Sequence, residues 1–112
     1  MSFDTIQMVR IAKRLVEATG YLELGMTQHT LDRLSDLGEV GPFEADVEML
    51  RGEALRQQHR YADAAVALKG TAVKASSPHS KSAWLAVALW YREAGNADQA
   101  IHSLARARGA LP

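Results

Sequence analysis

The chain has 112 residues, of which 47% are hydrophobic, and its 13 basic and 13 acidic side chains cancel to a net charge of zero. This size and apolar content suit one compact domain with a core. The balanced charge argues against nucleic-acid binding, which needs a clustered basic excess, and against a polybasic membrane anchor. Cysteine is absent, which excludes disulfides and thiolate chemistry and fits a reducing compartment.

The first ten residues, MSFDTIQMVR, contain an early acidic residue and lack the apolar core of a signal peptide. No apolar run approaches the roughly 20 residues that cross a bilayer. We therefore expect a cytoplasmic protein, either a complete one or a domain of a longer one, that does not associate with membranes.

Apolar residues recur at intervals of three and four along the whole chain, which is typical of amphipathic helices. The pattern predicts six helices, over about 4–24, 27–37, 43–57, 61–74, 79–94 and 97–108. No useful length alternates with period two, so we predict no strands. The links within each helix pair are short, and short links make neighbouring helices antiparallel.

Local signals account for several helix boundaries. Ser77 and Pro78 supply an N-cap candidate followed by proline at the first helical position. Gly95 can adopt the left-handed conformation that ends a helix. Asn96 then caps the next helix, with Gln99 at the position of a capping-box partner.

The last helix pair contains small, apolar and turn positions that recur earlier in the chain, although the residue types at its two leading positions, Trp84 and Val87, do not recur. In this pair the positions hold Trp84, Val87, Ala88, Tyr91, Gly95, Ala100, Leu104, Ala107 and Pro112. Thirty-six residues earlier they hold Glu48, Arg51, Gly52, Leu55, His59, Ala64, Leu68, Thr71 and Ser76. A further 34 residues earlier they hold Arg14, Glu17, Ala18, Tyr21, Gly25, Thr30, Leu34, Leu37 and Pro42.

This recurrence resembles the tetratricopeptide repeat (TPR) family, whose unit is a helix–turn–helix of 34 residues. Three tandem repeats fit, over residues 11–44, 45–78 and 81–112, with 1–10 extending the first helix. The resemblance implies a single all-α domain over 1–112, a right-handed superhelical solenoid of three helix-turn-helix hairpins. It also implies that Ala18, Gly52 and Ala88 are small because the two helices of each hairpin cross there. Trp90 is expected to pack against the second helix of its hairpin.

In this family the first helix of each hairpin lines a concave groove that receives a peptide or helix. The resemblance therefore implies a groove, largely apolar with a polar edge, that suits an apolar or amphipathic segment. The residues in those positions are Leu15, Val16, Thr19, Leu22, Glu23, Asp46, Met49, Leu50, Glu53, Arg56, Gln57, Ser82, Leu85, Ala86, Leu89, Arg92 and Glu93.

One subtype of the family binds the C-terminal carboxylates of heat-shock chaperones through a clamp of basic and amide side chains. The clamp positions here hold Leu15, Thr19, Leu50, Ser82 and Ala86. None of these side chains is basic or an amide, so we predict no carboxylate-clamp binding.

The open side of the last hairpin is a second candidate interface. Repeat arrays usually carry a polar capping helix after the last unit, and here the chain ends at Pro112. The resemblance implies that Trp84 and Tyr91 are packing residues of the core. On the open side, however, Trp84, Val87, Ala88 and Tyr91 are expected to be exposed unless something covers them, as an apolar patch of the kind that marks interfaces. Homo-oligomerisation or docking onto a neighbouring domain would cover it.

Enzymatic activity and metal binding are not expected. The histidines at 29, 59, 79 and 102 include no pair at the i, i+4 spacing of helical metal ligands. No nucleophile motif or phosphate-binding loop occurs, and we predict no cofactor. The preferred function is a non-catalytic protein-interaction module. The alternatives are a self-associating oligomerisation domain and a small secretion-type chaperone for apolar segments.

Overall fold

A computed structural model describes residues 4–74 and 79–109, and these residues form an all-α fold without strands. The helices are α1 (Thr5–Glu23), α2 (Thr27–Ser35), α3 (Glu44–Gln57), α4 (Tyr61–Lys74), α5 (His79–Glu93) and α6 (Ala97–Ala107). A short 3-10 helix, Gly41–Phe43, precedes α3. The six predicted helices are confirmed, each with boundaries within two residues of the prediction. The predicted N-cap at Ser77–Pro78 lies outside the described residues.

The helix boundaries have local chemical causes. At the start of α1, Asp4 accepts a hydrogen bond from the Gln7 amide at 2.7 Å, and the Gln7 side chain accepts one from the Asp4 amide at 3.1 Å. This reciprocal capping box satisfies backbone donors that the first turn leaves unpaired. At α6, Asn96 accepts from the Gln99 amide as predicted, and Gly95 before it has a φ of 83°.

The apolar faces of the helices form two buried clusters. The smaller one joins α1, α2 and α3 through Ile11, Ala18, Leu34, Leu37 and Val47. The larger one joins α3, α4, α5 and α6, and both tryptophans belong to it. Each helix packs on the next one along the chain, and α1 also contacts α3.

Polar contacts support the α1–α2 pair. The Arg14 guanidinium donates to Asp36 at 2.7 Å and to the Arg33 carbonyl at 3.2 Å, and Arg10 donates to the Leu37 carbonyl at 3.0 Å. These guanidinium groups satisfy the carbonyls of Arg33, in the last turn of α2, and of Leu37, two residues beyond its end, where no intrahelical amide pairs with them. They therefore hold the C-terminal end of α2 against α1.

Trp90 makes a contact outside its own helix pair, which the sequence prediction did not include. Its side chain is buried, but its ring lies over Gly52 in α3, so it reaches across to the preceding helix pair. The backbone of α4 is also close to Gly52, since a Cβ there would lie 3.5 Å from the Ala64 carbonyl oxygen. Gly52 is therefore small chiefly because of the Trp90 ring, and only secondarily because of its partner helix.

Candidate binding grooves

The α1–α3 groove is a depression of about 610 Å³ between α1 and α3. Both helices contribute a run of lining side chains at helical spacing, so each presents one continuous ridge to the groove. The lining residues are Leu15, Val16, Thr19, Gly20, Glu23, Asp46, Met49 and Leu50.

The floor of the α1–α3 groove is apolar and its border is acidic. Leu15 and Leu50 are half-buried and pack on the smaller core cluster, whereas Val16 is 73% exposed and Met49 is 38% exposed. Exposed apolar side chains that converge on one concavity are typical of an interaction surface. The carboxylates at 23 and 46 are exposed, and neither forms an ion pair within the part of the chain that the structure describes.

The α5–α6 groove is a second depression, of about 350 Å³. Four of its apolar side chains are substantially exposed: Leu85 at 44%, Leu89 at 47%, Ile101 at 67% and Leu104 at 44%. The full lining is Leu85, Ala88, Leu89, Arg92, Ala97, Ala100, Ile101 and Leu104.

The residues predicted to line one groove are divided between these two depressions. Glu23 and Asp46, with Leu15, Val16, Thr19, Met49 and Leu50, line the α1–α3 groove, and Leu85, Leu89 and Arg92 line the α5–α6 groove. Ala86 is instead half-buried against the larger core cluster. The remaining predicted residues line neither groove: Leu22, Glu53, Arg56, Gln57, Ser82 and Glu93.

Glu53 and Arg56 neutralise each other on α3. The guanidinium of Arg56 donates to the Glu53 carboxylate at 2.9 Å. This hydrogen bond, together with the carboxylate charge, raises the pKa of Arg56 above its ordinary value, against a smaller opposing effect of desolvation. The pair occupies the i, i+3 spacing at which helical side chains meet, so it forms a closed polar contact beside the α1–α3 groove.

The predicted core packing of Trp84 and Tyr91 is confirmed, and the predicted exposure of Trp84, Val87 and Tyr91 on the open side of the last hairpin is wrong. Trp84 and Val87 are 2% and 0% exposed, and Tyr91 is buried as well. The reason is that α5 turns these side chains inward, where the Arg106 guanidinium covers the Trp84 ring at 4.6 Å and the Lys69 ammonium lies 5.9 Å from the Tyr91 ring. Ala88 is half-buried and lines the α5–α6 groove.

The sequence prediction did not place any residue of α6 in a groove. Ile101 and Leu104, together with Ala97 and Ala100, supply the α6 wall of the α5–α6 groove. Their spacing of three and four residues is the ordinary signal of an apolar helix face. The sequence therefore contained the signal, whereas the family pattern implies a groove lined by the first helix of each hairpin.

Residues 4–74 and 79–109 contain neither a candidate metal cluster nor a candidate membrane-spanning helix. No group of three metal-ligating side chains occurs there, and none of the helices described is long and apolar enough to span a membrane. Searches for similar proteins found no matching family model, curated protein or solved structure.

Proposed function

We propose that this chain is a non-catalytic, TPR-like protein-interaction module that binds an apolar or amphipathic segment of another protein in the α1–α3 groove. The observation that carries the proposal is the groove itself, with Val16 and Met49 exposed above the half-buried Leu15 and Leu50. Covering these side chains removes apolar surface from water, which favours association.

The shape and chemistry of the groove support a helical or extended peptide ligand. A furrow between two helices accepts the apolar face of an amphipathic helix, with anchors at i, i+3, i+4 and i+7. Met49 adds a flexible, polarizable side chain that adapts to differently shaped apolar groups. The periodic pattern that resembles TPR repeats supports the same class of function, since such scaffolds present helix-lined surfaces to partners.

The experiment compares the wild type with a Val16→Asp, Met49→Asp double variant. Binding of a fluorescein-labelled amphipathic peptide of about 18 residues, long enough to be partly helical, is followed by fluorescence anisotropy. We expect the groove variant to lose binding at least tenfold, because two charges would have to be desolvated against an apolar ligand. A Val66→Asp, Met8→Asp variant introduces the same charges at exposed apolar sites outside both grooves and should bind normally.

Amide chemical shifts in ¹⁵N-labelled protein give an independent test. Addition of the peptide should perturb α1 and α3 around the groove. Perturbation confined to helices other than α1 and α3, including those of the α5–α6 groove, or unchanged affinity of the folded groove variant, would exclude the α1–α3 groove as the binding site.

A further inference from the structure

The face of α6 that borders the α5–α6 groove corresponds in position to the face of α4 on which α5 packs. On α4, Ala65, Leu68 and Ala72 are buried in one cluster with residues of α5, and Ser80 at the start of α5 donates to the Ala72 carbonyl at 3.2 Å. The offset of 36 residues places Ile101, Leu104 and Arg108 at the corresponding positions of α6.

These equivalent positions differ sharply in exposure. Ala65 and Leu68 are 0% and 1% exposed, whereas Ile101 and Leu104 are 67% and 44% exposed. The difference arises because α5 covers the α4 face, while none of the described residues covers the α6 face. A second helix laid along this face would therefore bury apolar side chains in the way that α5 does, at ordinary helix-packing distance.

Cations border the apolar strip at both ends. Arg92 lines the groove with 73% of its side chain exposed. Lys81 lies one helical turn before Leu85, and Arg108 lies one turn after Leu104. Because neighbouring helices joined by a short turn run antiparallel, the start of α5 and the end of α6 meet at one end of the groove, and Arg92 lies at the other.

These three cations form few ion pairs within the described residues. Among the carboxylates of the described residues, Arg92 forms an ion pair only with its neighbour Glu93, at 3.4 Å on the surface, and such exposed pairs are weak. Lys81 and Arg108 are exposed and have no carboxylate within ion-pair distance in the described part of the chain. Asp98, one turn before Ile101, is another exposed carboxylate beside the groove. Lys81, Arg92 and Arg108 outnumber Glu93 and Asp98, so the apolar centre has a border of net positive charge.

The charges disfavour two ways in which a second copy of this chain could occupy the groove. The same face of a second copy would bring positive border against positive border. The exposed apolar stripe of α1, with Ile6, Val9 and Val16, carries the exposed Lys13 between its apolar positions. Docking that stripe would place another cation in the groove, and like charges at close range disfavour the contact.

From the apolar centre and the positive border of this groove, we infer that the α5–α6 groove receives an amphipathic α-helix of a different protein. The apolar stripe of that helix is bordered by acidic side chains. Leu85, Leu89, Ile101 and Leu104 cover the apolar stripe, and Lys81, Arg92 and Arg108 face its carboxylates. This surface is separate from the α1–α3 groove, whose border is acidic, so the two grooves select partners of opposite charge.

The test uses two labelled helical peptides of about 18 residues. Both have leucines at helical spacing and glutamines elsewhere, but one has glutamates beside the leucine stripe and the other has lysines. Anisotropy at low and high salt should show tighter binding of the acidic peptide, weakened by salt as charges are screened. A Lys81→Glu, Arg92→Glu, Arg108→Glu variant should lose at least about tenfold in affinity for the acidic peptide, through the loss of three attractive charges.

Two further variants separate local contacts from total charge. A Lys13→Glu, Arg60→Glu, Lys74→Glu variant makes the same change in net charge away from the groove and should retain wild-type affinity. A Lys81→Gln, Arg92→Gln, Arg108→Gln variant, which adds no repulsion, should fall between wild type and charge reversal. Far-ultraviolet circular dichroism confirms that each variant is folded.

Several outcomes would overturn the inference. Equal affinity for the acidic and basic peptides, or equal loss in the control variant, would show that the positive border does not select the ligand. Absence of any binding of the acidic peptide would show that the groove does not receive such a helix. Dimerisation that disappears in Leu89→Asp would assign the face to a second copy, and binding to phosphatidylserine vesicles that disappears on charge reversal would assign it to a lipid surface. The Val16→Asp, Met49→Asp variant should bind the acidic peptide normally. A negative result for the α1–α3 groove can therefore be distinguished from a negative result for the α5–α6 groove.

Discussion

The ring of Trp90 lies so close to Gly52 that a Cβ at position 52 would be only 2.7 Å from its Cζ3 atom. Real Cβ atoms do not approach other atoms so closely, so the contact requires a residue without a side chain in the middle of α3. It joins α3 to α5 across the two helix pairs, inside the larger buried cluster. Glycine ordinarily weakens a helix interior, and here that cost is offset by the packing of the indole.

Gly52→Ala is therefore expected to destabilise the protein by about 1–3 kcal/mol, because the indole must shift within a packed core. Gly70→Ala is the matched control, since Gly70 is exposed within α4 and a Cβ there meets nothing within 4 Å. It should stabilise by about 0.5–1 kcal/mol through helix propensity. Urea unfolding measures both, and a stabilised Gly52→Ala variant would contradict the Trp90 contact.

His59 occupies a turn position that favours glycine. Its φ is 61°, and the corresponding Gly25 and Gly95 have φ values of 74° and 83°. A side chain in this left-handed region costs about 1–2 kcal/mol. His59→Gly should therefore raise the free energy of unfolding by about 0.5–1 kcal/mol, the remainder being lost to chain entropy and to the exposed contact of His59 with the Tyr61 hydroxyl.

The reverse substitution provides the control for this turn. Gly95→His should lower the free energy of unfolding by about 1 kcal/mol, since it places a side chain at the same kind of position. Thermal and urea unfolding of the two variants should give opposite signs. Equal signs would show that backbone strain does not govern this position.

Two buried hydroxyl groups should respond oppositely to removal. The Thr30 hydroxyl is within hydrogen-bond distance of the Ala18 carbonyl, at 3.3 Å, and of the Met26 carbonyl, at 3.2 Å. The Ser103 hydroxyl is buried without a partner among the described residues. Thr30→Val should cost about 1 kcal/mol, whereas Ser103→Ala should stabilise by up to about 1 kcal/mol, because an unpaired buried hydroxyl is unfavourable. Destabilisation of both variants would indicate that Ser103 is hydrogen-bonded.

Acid should weaken the contact between α1 and the end of α2. The hydrogen bond from Arg14, followed by its charge, holds the pKa of Asp36 below its ordinary value near 3.8. The folded state therefore binds this proton more weakly than the unfolded chain does. The resulting stabilisation is complete above the ordinary pKa and is lost as pH falls through the lower folded-state pKa.

The measurement is the free energy of unfolding against pH for the wild type and Asp36→Asn. The two curves should differ near neutral pH and converge as the solution becomes more acidic than the ordinary Asp pKa. In an Arg14→Gln background, Asp36→Asn should have little pH-dependent effect. A difference that stays constant down to the acid transition would mean that the Arg14–Asp36 contact is not the source.

Sequence periodicity alone determined where the six helices lie and where several of them end. The reason is that helix spacing, an N-cap such as Asn96 and a turn glycine such as Gly95 act within a few residues of one another. The recurring pattern also predicted that His59 occupies a turn position that holds glycine in the other two helix pairs. These local features agree with the structure because little distant packing is needed to satisfy them.

The tertiary structure decided which face of each helix is covered. Trp84 and Leu85 are adjacent in sequence, yet one is 2% exposed and the other 44%, because α5 turns one toward the core and the other toward the α5–α6 groove. Likewise, only packing against α3 could show that Trp90 requires Gly52. The periodic pattern marks an apolar side chain as part of a face, but burial depends on whether another helix lies against that face. This is why residues that the sequence predicted in one groove are divided between the α1–α3 and α5–α6 grooves.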